Sequence, residues 1–296
     1  MTAQKTKAQR VALITGCSES NSIGANLALD LLRRGWKVYA TARKVETLAP
    51  LKAEGAQVLA LDVVDKLSIA DVKKTILDAE GRLDALVNNA GVEDRCPVID
   101  VDIERMRGMY EVNVFAPIAL AQAFAPLLVA GHKLSGARSV IINIGSAAAY
   151  GNPWMGVYGS TKAALQSLSD AMRRELAPLG IASVTVELSV VDTAMQTGLK
   201  AFGLSNKGSQ TGLYANFPEV EDAFKLEFKK MCANAPSVQE VANALGRAVE
   251  SPPRKIWLGE RNWLFRWIIP ALPIAILDRA LSQAQHVGLV RTSDSF

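Results

Sequence analysis

A chain of 296 residues with 49% apolar and 21% charged side chains suits one large α/β domain or two small ones and has the composition of a globular enzyme. Its net charge of +4 is diffuse, with no long Lys/Arg block, which argues against a nucleic-acid partner but suits an anionic cofactor or a membrane surface. Three scattered cysteines and two histidines without ligand spacing argue against a disulfide framework and a metal site, while the polar start MTAQKTKAQR and the lack of a run of about 18 apolar residues predict neither a signal peptide nor a spanning helix.

Val11 to Ile14 reads as a short buried strand that runs into Thr15-Gly16. The loop GCSESNSIG over 16–24 follows, and then Ala25, Leu27, Ala28, Leu31 and Leu32 recur at helical spacing. Strand, small-residue loop and helix together can set a pyrophosphate on a helix N-terminus. The only loop glycines are Gly16 and Gly24, so a plain strand-to-helix turn is the competing reading. Trp36 to Thr41 is a second strand, ending in Ala42-Arg43-Lys44. In a dinucleotide fold these residues meet the adenosine ribose. No acid stands from Thr41 to Lys44, and Arg43 is able to grip a phosphate with two hydrogen bonds, which favours NADP(H) over NAD(H).

Ala56 to Leu61 is a third strand, closed by Asp62-Val63, and an amphipathic helix runs from about Leu67 to Ala79. Leu83 to Val87 is a fourth strand, followed by the turn Asn88-Asn89-Ala90-Gly91, small enough to let a backbone approach a flat ring. Ile103 to Leu128 is helical and apolar, contains Asn113, and has Pro117 placed to kink it. Ala137 to Ile144 is a fifth strand that delivers Ser146. Tyr158 to Leu176 is helical, and Ile181 to Leu188 is a sixth strand. This alternation predicts a single-domain, Rossmann-type doubly wound parallel sheet with helices on both faces. Residues 194–235 lose the pattern and read as a substrate lid. Ser237 and Glu240 open a last helix to Val249, and Lys255 to Leu258 closes the sheet.

The stretch from Ser146 to Lys162 carries the chemistry. Tyr158 and Lys162 lie four apart, one helical turn, on one face. An ammonium beside a phenol favours phenolate and draws its pKa down, and a strand-end hydroxyl such as Ser146 can bond an oxygen that gains charge. Together these groups can protonate a carbonyl oxygen.

In order and spacing, Thr15-Gly16…Ile23-Gly24, Asp62, Asn88-Asn89-Ala90-Gly91, Asn113, Ser146 and Tyr158…Lys162 resemble the short-chain dehydrogenase/reductase family over about residues 8–260. The resemblance implies a catalytic set of Asn113, Ser146, Tyr158 and Lys162. Tyr158 would be the acid/base and Ser146 would orient the carbonyl. Lys162 would hold the nicotinamide ribose and lower the Tyr158 pKa, and Asn113 would hold a relay water. It implies a cofactor site of Gly16, Ser18, Ser22, Ile23, Gly24, Arg43, Asp62, Val63, Asn89, Ala90, Gly91, Tyr158, Lys162, Val191 and Thr193.

Two departures stand out. The glycine loop runs two residues longer than the family's and has Ser22 for its middle glycine, and Leu188-Ser189 replaces the usual Pro-Gly after the sixth strand, leaving that backbone less constrained. The apolar tail 263–277, within an extension over 261–296, reads either as a cover on the pocket or as an interfacial segment with tryptophans at headgroup level. Tail and loop are similar to the branch containing the 1-acyl-dihydroxyacetone-phosphate reductases and to fungal tailoring reductases. The expectation is therefore an NADP(H)-dependent oxidoreductase acting on a hydrophobic ketone or secondary alcohol. It would be a homodimer or homotetramer through its long helices, cytoplasmic or peripheral to an intracellular membrane or lipid droplet. The alternative is a non-catalytic regulator or scaffold that binds the cofactor.

Overall fold

In the computed structural model, residues 9–193, 218–284 and 286–287 are described. Strands β1 (Val11–Ile14), β2 (Lys37–Ala42), β3 (Gln57–Ala60), β4 (Ala85–Asn88), β5 (Ser139–Ile144), β6 (Ile181–Leu188) and β7 (Lys255–Leu258) form one sheet in the order β3-β2-β1-β4-β5-β6-β7. Every neighbouring pair is parallel. Successive residues of a strand face opposite sides. Ala12 and Ile14 therefore join one core with Leu27 and Leu31 of helix α1 (Ile23–Arg33), while Val11 and Leu13 join a second core with Phe124 and Leu128 on the other face. A sheet covered on both faces needs apolar residues at both parities, which is why its central strands read as continuous apolar runs.

The chain starts at β1, winds outward through β2 and β3, and returns to the other side of β1 as β4. The crevice at such a reversal opens at the carboxyl ends of the strands. Helix α2 (Ala49–Ala53) precedes β3, and α3 (Lys66–Glu80) crosses back to β4. Helix α4 (Ile103–Tyr110) runs through a π turn at Glu111–Phe115 into α5 (Ala116–Ser135). Helix α6 (Gly156–Glu175) carries Tyr158 and Lys162. Helix α8 (Val238–Glu250) opens with the expected capping box of Ser237 and Glu240 and packs on α1.

Pro117 stands at the start of α5, directly after the π turn at Glu111–Phe115 that contains Asn113, so the hydrogen-bond ladder of the long helix shifts where the proline enters it. Two sequence expectations change. The combined helix Ile103–Ser135 is long and apolar enough to cross a membrane, contrary to the composition reading, yet it is a core helix that packs Leu120, Phe124, Leu127 and Leu128 against the sheet. Within the expected irregular lid, residues 218–233 form a helix, α7 (Pro218–Ala233), while 194–217 lie outside the described residues. The tail adds a π turn at Leu264–Ile268 and a helix α9 (Ile274–Ala284).

Candidate active site

The carboxyl ends of β1, β4, β5 and β6 open into a cavity of about 850 Å³. One half is built by the turns after β1 and β4. Gly16 has φ +72°, and a Cβ there would lie 2.8 Å from the Cα of Ala90, so only glycine lets the two turns touch. Thr15 holds them together. Its Oγ1 accepts from the backbone N–H groups of Asn89 (3.1 Å) and Ala90 (2.9 Å), and the Asn89 amide donates back to the carbonyls of Thr15 (2.7 Å) and Gly16 (2.9 Å). Ser22 ends the loop as the N-cap of α1, accepting from the Ala25 N–H at 3.2 Å. The longer loop is braced by Asn26, which donates to the carbonyls of Ser20 and Ser22.

Gly16, Ser18, Ser22 and Ile23 line this half of the cavity, and Asn89, Ala90 and Gly91 face them. Asp62 and Val63 line it at the end of β3, and Arg43 lies exposed at the end of β2. Among the described residues no carboxylate pairs with Arg43. Gly24 stands behind the lining, where a Cβ would come within 2.5 Å of the Asn89 amide nitrogen.

The other half holds the hydroxyls. Ser146 follows β5 and accepts from the Ala148 N–H at 3.1 Å, which fixes its rotamer. Tyr158 lines the same cavity from α6, where the Ser146 side chain favours its phenolate. Lys162 is buried and donates to the Ile144 carbonyl at 2.9 Å, with Nζ 5.6 Å from the centre of the Tyr158 ring. Burial pulls the Lys162 ammonium down to about 8, against the raising effect of Glu93 and Glu187. The Tyr158 phenol moves the opposite way from the sequence expectation. Burial raises it well above its ordinary value, Glu93 adds to that, and the Ser146 side chain and the Arg95 charge oppose it.

Asn113 is 1% exposed and does not line the cavity. Its amide accepts from the Val92 N–H at 2.9 Å, donates to the Val92 carbonyl at 2.8 Å and donates to Thr161 Oγ1 at 3.1 Å. The side chain clamps the loop after β4 to α6.

The missing Pro-Gly is compensated from outside. Ser189 donates its N–H to the Leu258 carbonyl, and Glu260 donates to the Val190 carbonyl, both at 2.9 Å. Asp192 bonds to the Pro236 carbonyl at 3.2 Å. Gly259 has φ +97°, and a Cβ there would lie 2.8 Å from the Ser189 carbonyl carbon. Val191 and Thr193 therefore reach the cavity on a fixed backbone, both nearly buried. The sequence reading missed Glu93, Arg95, Asn152, Met155 and Phe265, which also line the cavity. Phe265 comes from the tail and is tilted on Tyr150, with ring centres 6.2 Å apart, so the tail does cover the pocket. An aromatic run in the tail was the only signal for it.

A family model described as short chain dehydrogenase matches residues 10–202. The chain is 40% identical over 188 residues to short-chain dehydrogenase ptmH of Penicillium ochrochloron, covering 62% of this chain and 67% of that protein. It is 37% identical over 193 residues to an NADPH-dependent 1-acyldihydroxyacetone phosphate reductase of Schizosaccharomyces pombe, covering 64% and 63%. A short-chain dehydrogenase/reductase of Pestalotiopsis microspora is 31% identical over 284 residues, 96% of each chain. Among solved structures, a Burkholderia cenocepacia short chain dehydrogenase in complex with NADP superposes with a TM-score of 0.67 at 25% identity, covering 96% of this chain and 98% of that one. The matched length, the sheet order and the Ser146–Tyr158–Lys162 cluster lead to one assignment: the chain belongs to the short-chain dehydrogenase family.

Proposed function

We propose that this protein is an NADP(H)-dependent oxidoreductase that interconverts a largely hydrophobic ketone and its secondary alcohol. The observation that carries this reading is that Ser146, Tyr158 and buried Lys162 line one cavity with the turns joined at the Gly16–Ala90 contact. The residues present fit a dinucleotide. The Gly16–Ala90 contact holds the turns after β1 and β4 together along one wall of the cavity, and Ser22 starts a helix whose N-terminus faces it. Arg43, exposed and without a carboxylate partner among the described residues, suits a 2′-phosphate, and the NADPH-dependent yeast relative points the same way.

Gly16, Ser18, Ser22 and Ile23 would hold the pyrophosphate, Arg43, Asp62 and Val63 the adenosine end, and Asn89 to Gly91, Lys162, Val191 and Thr193 the nicotinamide end. The bound cofactor supplies or accepts a hydride. Tyr158 gives a proton to the carbonyl oxygen in reduction and takes it back in oxidation. Ser146 hydrogen-bonds the same oxygen and stabilises the charge that gathers there. Asn113 positions rather than reacts, since its amide is engaged by Val92 and Thr161.

Titration with NADPH and NADH by cofactor fluorescence, followed by a ketone panel, tests the reading. Selective NADPH binding with turnover supports it. Binding without turnover, unaffected by Tyr158→Phe, supports the regulator or scaffold instead, and no binding of either cofactor refutes both.

Two partner readings belong to the same proposal. The helices through 103–135 and 156–175 leave Ile103, Phe115 and Leu168 exposed, which suits a second copy of the chain and hence a homodimer or homotetramer. Sedimentation of wild type and Phe115→Glu checks this, and an unchanged single species in both would count against it. The outer side of the tail suits a bilayer surface, so the protein would work in the cytoplasm at the periphery of a membrane or lipid droplet.

A further inference from the structure

Two aromatic rings converge on Tyr150 at the edge of the cavity. Trp257 of β7 stacks on it with ring centres 6.4 Å apart and planes 22° apart, and Phe265 of the tail lies tilted on it at 6.2 Å and 33°. Of the three, Phe265 alone lines the cavity, where it is the only aromatic side chain besides Tyr158 among the described residues. It therefore meets Tyr150 on one side and the cavity on another.

The geometry puts Phe265 near the Ser146 end of that cavity. Tyr150 closes the 3-10 turn Ala147–Tyr150, whose N-cap is Ser146, with the Ser146 hydroxyl accepting from the Ala148 N–H at 3.1 Å. A rise of about 2 Å per residue in such a turn sets Tyr150 about 8 Å along from Ser146. The turn lies on α6 beside Tyr158, since a Cβ on Gly159, the next residue, would collide with the Ala148 carbonyl oxygen. Met155, three residues before Tyr158, lines the same cavity. The Phe265 ring is also fixed. The tail is rooted where Glu260 donates its N–H to the Val190 carbonyl, it turns where Leu264 donates to the Arg261 carbonyl, both at 2.9 Å, and it is anchored again at Ile269, which is 5% exposed. A ring already held in place loses little freedom when a ligand packs on it.

We infer that Phe265 is a specificity-determining residue that packs on a ring of the substrate, so that the substrate class is a ketone, or its alcohol, carrying a planar aromatic ring. This rests on the oxidoreductase reading above and deepens it. Val92, Val112, Leu188 and Val190 wall the cavity with aliphatic groups, which reward apolar area of any shape. A phenyl ring adds an attraction that depends on its partner being aromatic, because ring face and ring edge carry opposite partial charges, and the Met155 thioether adds a second contact of that kind. A saturated ring with the same carbon skeleton offers the area without either contact.

The test compares 4-phenyl-2-butanone with 4-cyclohexyl-2-butanone, and 4-(2-naphthyl)-2-butanone with its fully saturated decalyl counterpart, as substrates of the full chain with NADPH. In each pair the carbonyl is insulated from the ring, so both members share one intrinsic reactivity. The readout is the aryl-to-saturated ratio of kcat/KM in wild type, Phe265→Leu and Phe265→Tyr. Leucine keeps the apolar bulk and tyrosine keeps the ring. A tail that merely lost its seating would slow both members of a pair alike and leave the ratio untouched. The ratio is expected to fall about fivefold in Phe265→Leu, chiefly through KM, and to stay within about twofold of wild type in Phe265→Tyr. Met155→Leu, a swap of similar volume on another element, should lower it by about twofold, which keeps the test open if a tail variant fails to fold. Quenching of bound NADPH fluorescence by each ketone gives the same ratio for binding where turnover is slow. A ratio unchanged in Phe265→Leu, or in Met155→Leu where the tail variants do not fold, overturns the assignment. So does a ratio that falls equally in Phe265→Tyr, or an absence of binding by both aryl ketones. Failure to bind NADPH at all would instead overturn the oxidoreductase reading.

Discussion

A phenol held above its ordinary pKa by burial and by a nearby carboxylate stays protonated through the neutral range, so Tyr158 is set as a proton donor. Tyr158→Phe removes the proton but leaves the cavity wall. Turnover should fall by roughly a hundredfold or more while NADPH affinity stays within a factor of a few, read by single-turnover kinetics and titration. Near-normal turnover would remove Tyr158 from the role. In the proposed cofactor site Arg43 stands at the opposite end. Arg43→Asp should shift preference from NADPH toward NADH by at least tenfold, since it replaces a phosphate partner with a charge that repels it. An unchanged cofactor ratio would mean that other groups read the 2′-phosphate.

Lys162 makes a prediction about stability. Its folded pKa of about 8 lies below its ordinary 10.5, so between these values the unfolded chain binds the extra proton and stability rises with pH. Below about pH 8 the whole penalty is present, on the order of 3 kcal/mol from a depression of about 2.5 pH units. Lys162→Met loses the bond to the Ile144 carbonyl, worth about 1 kcal/mol, and also the penalty. The variant should be inactive yet melt higher than wild type at pH 7, with the gap closing by pH 9.5. A variant that melts lower by the same margin at both pH values would contradict the assignment.

At the scale of elements, the site depends on backbones that carry no chemistry. The end of β6 lacks its own stiffening residues and borrows order from β7 through the Ser189–Leu258 and Glu260–Val190 bonds. Gly259 makes that contact possible, because its φ of +97° and its distance from the Ser189 backbone both exclude a Cβ. Gly259→Ala should destabilise the fold by about 2 kcal/mol, from left-handed strain and displaced backbone together. Its effect should extend to NADPH affinity, because Val191 and Thr193 hang from the same segment. Urea unfolding and cofactor titration measure the two effects, and a variant equal to wild type in both would show that the segment is held elsewhere. The π turn at Asn113 works in the same way, presenting the amide that fixes Val92 and with it the loop bearing Glu93 and Arg95.

Across the whole molecule, what the sequence revealed depended on how local its cause was. The strands were readable because burial on both faces forces continuous apolar runs, and Gly16 and the Ser146–Tyr158–Lys162 spacing because turn and helix geometry fix them within a few residues. Glu93 and Arg95 gave no signal in the sequence, since the loop that bears them is held by residues further along the chain, Asn113 on Val92 and Arg105 on Asp94. Trp154, buried with φ +66° just before α6, gave no signal either, because nothing in a tryptophan announces a left-handed backbone. The depressed Tyr158 pKa expected from a neighbouring ammonium failed because burial is a property of the assembled cavity.

The tail shows the same division between inside and outside. Its inner side is fixed by Phe265 on Tyr150 and by buried Ile269, whereas Trp263 and Trp267 remain 57% and 64% exposed and Ile274 76% exposed. Arg266 lies over the Trp267 ring at 4.7 Å, a basic group beside the exposed aromatic surface. If this surface seats on a bilayer, each tryptophan that buries about 60 Å² of apolar area contributes about 1.5 kcal/mol. Trp263→Ser combined with Trp267→Ser should therefore lower partitioning onto vesicles containing anionic lipid by roughly a hundredfold, while turnover of a water-soluble ketone is retained because neither ring lines the cavity. Co-sedimentation with vesicles measures this, and binding that is equally strong in the double variant would leave the outer surface of the tail without a role at the membrane.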